Sequence, residues 1–252
     1  MTEDIDPRRH LELEGTVNTR DVGGYATADG RQTRWGRLLR SDSLHQLTPK
    51  SQQALVDWGL RSVLDLRKSK EMQKTRNVFF DSDQVTYYHQ NMVGDTLIRE
   101  RETIPKQLEY VEHMRWSYSA VLDRRKSHIH DTLCLLSQPD TMPALVHCAG
   151  GTERTGLIVA LVLGIAGVPD ETIAEDFGLT ARFSYPRYLE THPEVNAETY
   201  TLADHQAQVC RPDTMLAVLR TLEERYCDVV GYARNIGMSE AQIEALRDAV
   251  VE

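Results

Sequence analysis

Short apolar runs alternate with amphipathic stretches along the chain. Runs rich in aliphatic, β-branched or aromatic residues occur at 36–41, 62–67, 84–90 and 143–147, and runs of this length and composition are typical of strands. The stretches between them repeat their apolar positions at helical spacing. Strands that alternate with helices predict an α/β fold with a central, mostly parallel sheet flanked by helices.

The clearest helix signals surround residues 49–58. Thr48 can cap a helix, Pro49 suits its first position, and Gly59 suits the residue after its last turn. We therefore expect a helix between Thr48 and Gly59. Further helices are predicted over 106–138, from about 155, from 170, over 213–227 and over 239–251.

The segment 181–212 is polar and aromatic, without a regular pattern. It is interpreted either as a surface connection with some short helix or as a mobile, helical cover over the site. No repeat, low-complexity run or linker interrupts the chain. A single domain over 1–252 is therefore predicted.

Charge and cysteine content narrow the class of protein. The net charge of -9 argues against nonspecific binding of nucleic acid or of an anionic membrane. The longest apolar stretch, 157–168, is shorter than the roughly 20 residues that span a bilayer. The N-terminus has no signal sequence, and the 4 cysteines show no disulfide or zinc spacing. We expect a cytoplasmic protein without stable membrane insertion.

The candidate chemistry concentrates in the turn after the strand at 143–147. Ligands of open α/β sheets bind at the carboxyl ends of the strands, and Cys148 stands at that place. Gly150 and Gly151 allow the turn to curl, so that successive backbone amides point inward as an anion nest. The following helix adds the positive end of its dipole. Both effects favour a bound phosphate and the thiolate form of Cys148.

Side chains of the same turn complete the site. Arg154, at its far end, can reach back with two parallel hydrogen bonds to phosphate oxygens. Thr155 is placed to donate its hydroxyl hydrogen bond to the sulfur of Cys148. His147 is expected to fix the loop through its ring nitrogens rather than to act as a base. The predicted phosphate-binding residues are Ala149, Gly150, Gly151, Thr152 and Thr155.

Several blocks of the chain resemble one family. The block 147–156, H-C-A-G-G-T-E-R-T-G, resembles the phosphate-binding loop of the cysteine-dependent protein tyrosine phosphatases. More narrowly, it is similar to the bacterial and fungal tyrosine phosphatases that also accept phosphoserine, phosphothreonine or phosphoinositides. Further blocks that resemble this family lie at 18–24 (N-T-R-D-V-G-G), 39–42, 63–67 and 231–239.

The resemblance implies a protein tyrosine phosphatase that needs no cofactor and no metal. Cys148 takes the role of nucleophile, forming a cysteinyl-phosphate, and Arg154 that of phosphate clamp. The expected substrate is a phosphotyrosine-containing protein or a small phosphate ester, with phosphoserine and phosphothreonine as further possibilities.

The turn departs from the family at two positions. The family commonly has Gly-Lys-Asp-Arg where this chain has Gly151, Thr152, Glu153 and Arg154. The missing lysine removes a positive charge that would favour polyanionic lipid head groups. Phosphoinositide hydrolysis is therefore a less favoured alternative.

The leaving oxygen of a phosphotyrosine calls for a general acid. One candidate is Asp95, in the loop after the strand at 84–90, where the resemblance also places an acid. The other is Glu153, within the binding turn itself. Each also has an ordinary interpretation, Asp95 as a surface loop residue and Glu153 as a structural hydrogen bonder.

Other charged residues are interpreted as a structural network of ion pairs, with Asp65 and Arg67 close enough to support the loop. The members of this network are Arg20, Asp21, Arg40, Asp65 and Arg67.

Other classes of function fit parts of the pattern. A rhodanese-type sulfurtransferase also places a cysteine in an anion-binding turn, and a phosphopeptide-binding module could use the turn without turnover. The arginine and Thr-Gly that close the turn favour the phosphatase. A metal-dependent mechanism is disfavoured because no cluster with ligand spacing is evident.

Overall fold

The computed structural model of the protein describes residues 5–94 and 108–252. The strands in these ranges are β1 (Arg20–Asp21), β2 (Leu38–Ser41), β3 (Ser62–Asp65), β4 (Thr86–His89) and β5 (Ala144–His147). They form one sheet in the order β1-β2-β5-β3-β4. All neighbours are parallel except β1, which runs antiparallel to β2. The predicted α/β fold with a mostly parallel sheet is confirmed.

Helices connect the strands and extend beyond the sheet. In chain order they are α1 (Pro49–Trp58), α2 (Ser69–Lys74), α3 (Tyr110–Arg124), α4 (Lys126–Leu136), α5 (Glu153–Ala166), α6 (Asp170–Thr191), α7 (Leu202–Val209), α8 (Pro212–Tyr226), α9 (Val229–Asn235) and α10 (Glu240–Val250).

The predicted ends of α1 are confirmed. The hydroxyl of Thr48 accepts a hydrogen bond from the backbone N–H of Ser51 at 3.3 Å, which satisfies one free donor of the first turn. At the other end Gly59 adopts φ of 101°, a left-handed conformation that glycine takes at little cost.

Alternate strand residues face two apolar cores, one on each side of the sheet. Leu38, Leu64 and Val146 pack in the larger core, whereas Leu39, Val63 and Leu145 pack in the smaller one. This is the period of two that a strand imposes on its side chains. Because β5 lies between β2 and β3 and is buried on both faces, the residue that follows it emerges at the middle of the carboxyl edge.

Helix α5 is the buried helix of the larger core, and its glycines permit close packing. A Cβ atom on Gly156 would lie 2.7 Å from the ring of Phe177, and one on Gly164 would lie 2.7 Å from Val229. The missing side chains therefore bring α6 and α9 directly against α5. None of the helices in the described ranges is both long and apolar enough to cross a bilayer.

The prediction of a less regular segment at 181–212 is wrong in its first part, where helix α6 continues through Pro186 to Thr191. Helix α7, of 8 residues, is a short helix of the kind expected within this segment. Although the proline removes one backbone donor, the rings of Tyr185 and Tyr188 pack against those of α7 and hold the last turns. The cover over the site and the single domain stay predictions.

Two smaller differences concern other helices. The predicted helical stretch 106–138 is divided at Arg125 into α3 and α4 within its described part. Helix α9 was not predicted, because a short helix of 7 residues offers too few turns for a periodic signal.

Candidate active site

Cys148 follows β5 directly and is fully buried, at the bottom of the turn that leads to α5. The turn can bend so sharply because of Gly151, which adopts φ of 70°. A Cβ atom there would lie 2.6 Å from the carbonyl oxygen of Ser41. Glycine is thus required at this position both by backbone conformation and by space.

The first two carbonyl groups of the turn are held by His147, at the end of β5, and by Ser43, just after β2. The carbonyl oxygen of Cys148 lies 3.0 Å from Nδ1 of His147. That of Ala149 accepts a hydrogen bond of 3.0 Å from the backbone N–H of Ser43.

The next two carbonyl groups are held from the side of β1 and β2. Nδ2 of Asn18 donates to the carbonyl oxygen of Gly150 at 3.3 Å. A guanidinium nitrogen of Arg40 donates to that of Gly151 at 2.9 Å. Four successive carbonyl oxygens are therefore turned outward, into the scaffold.

The direction of these carbonyl groups fixes the direction of the amides. In a trans peptide the N–H points opposite to the C=O of the same unit. With the carbonyls of 148–151 turned outward, the N–H groups of 149–152 point to the inner side of the turn. The predicted anion-binding nest requires this direction of the amides, and the nest itself stays a prediction.

Behind Cys148 lie three buried side chains, Asp65, Arg67 and His147, which together with the half-buried Tyr87 are here called the Asp65 cluster. The guanidinium of Arg67 donates to both carboxylate oxygens of Asp65, with distances of 2.6 to 3.0 Å. Tyr87 adds a hydroxyl donor at 2.8 Å. Arg67 is also held by the hydroxyl of Ser43. The structural interpretation of Asp65 and Arg67 as supports of the loop is confirmed.

Both ring nitrogens of His147 are engaged. Nε2 lies 2.8 Å from Nδ2 of Asn77, which is a donor because Oδ1 of Asn77 accepts from the backbone of Phe79. Nε2 is then an acceptor, and Nδ1 carries the proton that is donated to the carbonyl of Cys148. Burial lowers the pKa of His147, in keeping with a neutral ring. Its expected role in fixing the loop is borne out.

On the opposite side lie three buried side chains, Asp176, Arg20 and Arg40, which together with the half-buried Tyr25 are here called the Asp176 cluster. Asp176 accepts from Arg40 at 2.5 Å, from Arg20 at 3.3 Å and from the hydroxyl of Tyr25 at 3.0 Å. The expected ion pairing of Arg20 and Arg40 is confirmed. Asp21 differs from them, since its carboxylate accepts from two backbone N–H groups, those of Gly23 and Gly36.

Arg154 is held at one edge of its guanidinium. Its two terminal nitrogens donate to the two carboxylate oxygens of Glu71 at 2.6 and 3.1 Å. Glu71 is itself fixed, because it accepts from the backbone N–H of Lys68 at the start of α2. A guanidinium has five N–H donors in a planar fork, so this pairing leaves the edge formed by Nε and one terminal nitrogen available for a phosphate.

The predicted hydrogen bond from Thr155 to the sulfur of Cys148 is not formed. The Thr155 hydroxyl is completely buried and has no hydrogen-bonding partner among the described residues. Leaving a buried hydroxyl unsatisfied is costly, so the Thr155 hydroxyl is available to donate a hydrogen bond at the start of α5.

The remaining predicted residues lie around the mouth of the turn. Ala149, Gly150 and Glu153 are exposed, whereas Thr152 is buried and precedes the first residue of α5. Asp95 lies outside the described residues. The loop that leads to it runs beside α2, where Nδ2 of Asn91 donates to the hydroxyl of Ser69.

Comparison with known proteins assigns this arrangement to a family. The sequence model of the tyrosine phosphatase family matches residues 11–252. The chain belongs to the tyrosine phosphatase family. The predicted enzyme class, a phosphoric monoester hydrolase, is confirmed with it.

Similar proteins include named phosphatases of two bacteria. A tyrosine-protein phosphatase of Nostoc commune is 25% identical over 225 residues, which cover 83% of this chain and 72% of that protein. The triple specificity protein phosphatase PtpB of Mycobacterium tuberculosis is 27% identical over 277 residues, covering 95% and 98%. Among solved structures, TpbA of P. aeruginosa is 14% identical, covers 85% of this chain and 97% of its own, and has a TM-score of 0.34.

Three residues of this phosphatase site were not singled out from the sequence. They are Glu71, Asn77 and Asp176, each of which acts on the turn from a distant segment. Only Glu71 has a local signal, since an acid at the third residue of a helix is typical of an N-terminal cap. Among the described residues, no group of three metal-binding side chains occurs.

Proposed function

We propose that this member of the tyrosine phosphatase family hydrolyses phosphotyrosine through a cysteinyl-phosphate on Cys148. The observation that carries the proposal is the orientation of the turn, whose carbonyl oxygens at 148–151 are all tied to outward donors. The inward amides and the free edge of Arg154 together offer donors to the three non-bridging oxygens of a phosphate, directly above the thiol.

In the first step, the thiolate of Cys148 attacks phosphorus and the bond to the tyrosine oxygen breaks. The electron pair of that bond leaves with the oxygen, which takes a proton from a general acid. The amides of the turn and Arg154 stabilise the charge on the equatorial oxygens, because they are already oriented before the substrate arrives.

In the second step, water attacks the phosphorus of the cysteinyl-phosphate. The conjugate base of the general acid takes a proton from the water, the P–S bond breaks, and Cys148 leaves as a thiolate. The buried hydroxyl of Thr155 would donate a hydrogen bond to that sulfur, which supplies the partner it otherwise lacks. A catalytic thiol requires a reducing setting, so we also propose a cytoplasmic location.

We propose Asp95 as the general acid, with Glu153 as the alternative. The side chain of Glu153 is exposed and makes no hydrogen bond to another described residue, so it is accessible at the mouth of the turn. It lies near Tyr110 and Tyr118, whose pKa values are raised by burial and further by the charge of Glu153. Asp95→Asn and Glu153→Gln should be compared on aryl phosphates with different leaving groups. Loss of the true acid makes the rate depend more steeply on leaving-group pKa.

The substrate range is proposed from the turn and from one relative. The name of the relative PtpB describes a triple specificity, and we propose that this chain also accepts phosphoserine and phosphothreonine at lower rates. Thr152, where the family commonly has lysine, adds no positive charge, so phosphoinositides should be poor substrates.

The decisive experiment measures hydrolysis of p-nitrophenyl phosphate and of phosphotyrosine, phosphoserine and phosphothreonine peptides, with phosphoinositides alongside. Cys148→Ser should lower kcat/KM on the phosphotyrosine peptide by at least about 1,000-fold, because serine is a far weaker nucleophile at neutral pH. Cys134→Ser, a thiol of α4 outside the site, serves as the control. Hydrolysis that survives in Cys148→Ser, or that EDTA abolishes, would contradict the proposal.

A further inference from the structure

Asp176 is the point at which the supports of one half of the turn converge. It lies in the second turn of α6, and its side chain is 1% exposed. One carboxylate oxygen accepts from Arg40, and the other from Arg20 and from the hydroxyl of Tyr25. A single carboxylate thereby sets the orientation of two guanidinium groups.

Each of the two arginines connects Asp176 to the turn through hydrogen bonds. Arg40 donates directly to the carbonyl oxygen of Gly151 at 2.9 Å. Arg20 donates to the side-chain oxygen of Asn18, which leaves the amide nitrogen of Asn18 directed at the carbonyl oxygen of Gly150. Asp176 thus acts on two neighbouring peptide units by two separate routes.

These peptide units carry the amides of the anion nest. The carbonyl of Gly150 belongs to the same plane as the N–H of Gly151, and the carbonyl of Gly151 to the same plane as the N–H of Thr152. If the carbonyl groups were released, the peptide planes could rotate and the two amides would no longer point together at the anion.

The net charge of the Asp176 cluster also favours binding of an anion in the turn. The two guanidinium groups hold the pKa of the Asp176 carboxyl well below its usual range, against the effect of burial. The cluster therefore keeps one carboxylate for two arginines and carries one positive charge in excess among the described residues. That excess charge lies immediately behind the carbonyl of Gly151, where it attracts an anion bound in the turn.

We propose that Asp176 is a positioning residue for oxyanion binding, which aligns Arg40 and Asn18 on the carbonyl groups of Gly150 and Gly151. The proposal deepens the proposed function by assigning a residue of α6 to the phosphate site, but it concerns anion binding and does not require turnover.

Asp21 offers a matched control for Asp176, because it is a buried carboxylate with a purely structural role. Asp21 is also a buried carboxylate, at 3% exposure, and is adjacent in sequence to Arg20. Its acceptors are occupied by the backbone N–H groups of Gly23 and Gly36, and it has no contact with the turn. Asp21→Asn and Asp176→Asn make the same chemical change in the same part of the molecule.

The experiment measures tungstate affinity by calorimetry, at a temperature at which both variants are folded by circular dichroism. Asp176→Asn should weaken tungstate binding at least tenfold, because the arginines use different oxygens of Asp176, and the amide replaces one of them with an NH2 donor that cannot accept from a guanidinium. Asp21→Asn should stay within twofold of the unaltered protein. In Asp176→Asn, kcat/KM on p-nitrophenyl phosphate should fall with the affinity, while its dependence on the leaving group stays unchanged.

A second variant keeps the inference testable if Asp176→Asn does not fold. Arg40→Lys retains the charge but has no fork to hold Asp176 and the Gly151 carbonyl together, so it should also weaken tungstate binding about tenfold. Equal tungstate affinities of Asp176→Asn, Asp21→Asn and the unaltered protein would overturn the proposal. Tungstate binding that depends on Asp176 in a protein without hydrolytic activity would contradict the proposed function alone.

Discussion

The two buried clusters hold the same turn from opposite sides, but they are built differently. In the Asp65 cluster, one carboxylate faces one guanidinium, and the pair lies two residues apart in sequence. In the Asp176 cluster, one carboxylate faces two guanidinium groups that come from segments over 130 residues away in sequence. The first reaches the turn through Ser43, which Arg67 holds and whose N–H donates to the carbonyl of Ala149. The second acts on the carbonyls of Gly150 and Gly151.

The two clusters therefore differ in net charge: the Asp65 cluster is neutral, whereas the Asp176 cluster is positive. Burying an ion pair costs desolvation that the pairing must repay, and the Asp65 cluster achieves this with several hydrogen bonds to one arginine. The Asp176 cluster leaves a positive charge uncompensated, which is unfavourable in a resting protein and favourable once an anion is bound. The turn therefore rests on a neutral support behind the thiol and on a positive one beside the anion.

The largest expected effect is on stability. Replacing the carboxylate of a buried ion pair costs on the order of 3–5 kcal/mol, because the partner charge stays buried. The destabilisation by Asp176→Ala should lie at the upper end of this range or above it, since two buried guanidinium groups then lose their carboxylate. Asp65→Ala should lie at the lower end, since Arg67 keeps its bonds to Ser43 and Thr75.

Urea unfolding at neutral pH measures both free energies, and Asp81→Ala, an exposed carboxylate at 71%, serves as the control for the loss of a surface charge. Equal losses for the two buried residues would mean that the excess charge of the Asp176 cluster has no energetic consequence.

The next effect is the acid sensitivity of the Asp65 cluster. Burial would raise the pKa of the Asp65 carboxyl, but His147, once its ring is protonated in acid, and Arg67 outweigh burial and lower it from 3.8 to about 2. A lowered carboxyl pKa stabilises the fold above pH ~4, and this contribution of about 2 kcal/mol is lost as the pH falls toward 2. The free energy of unfolding of Asp65→Asn should therefore fall less steeply over this range than that of the unaltered protein. Parallel curves for the two proteins would count against the assignment.

Much of the fold was predictable because its signals are local. Thr48, Pro49 and Gly59 mark the ends of α1 without any tertiary information. The apolar run at 143–147, followed by two glycines and an apolar helix, located Cys148 at the carboxyl edge. Helix α6 was misjudged beyond 181, because its last turns depend on contacts with α7, which no local pattern reveals.

The site was predictable only in part, for a related reason. Cys148 and Arg154 lie in one short segment, so their spacing alone indicates a shared site. Asp176 lies within a long helix where an acid is usually a solvated surface residue. Only the packing of α6 against α5 turns that residue inward, so its role required the structure.

Glu71 is a third carboxylate that holds an arginine of the site, but unlike Asp65 and Asp176 it is partly exposed. Glu71 orients Arg154 by two hydrogen bonds, and Glu71→Gln replaces one acceptor with a donor. A hydrogen bond between charged groups contributes about 1.5–3 kcal/mol, so kcat/KM should fall about tenfold, mainly through KM. Steady-state kinetics on p-nitrophenyl phosphate measures this, with Glu112→Gln, an exposed partner of Arg115, as the control. An unchanged KM would mean that the free edge of Arg154 is oriented without Glu71.

The smallest expected effect compares the two tyrosines that complete the clusters. Tyr25 donates its hydroxyl to Asp176 at 3.0 Å, and Tyr87 donates to Asp65 at 2.8 Å. Tyr25→Phe and Tyr87→Phe each remove one hydrogen bond, at a cost of about 1 kcal/mol in unfolding free energy. Only Tyr25→Phe should also weaken tungstate binding, by twofold to threefold, because Asp176 then holds its two arginines less firmly. If both variants bind tungstate equally well, the two clusters support the turn in the same way, and the distinction between a neutral and a positive support is lost.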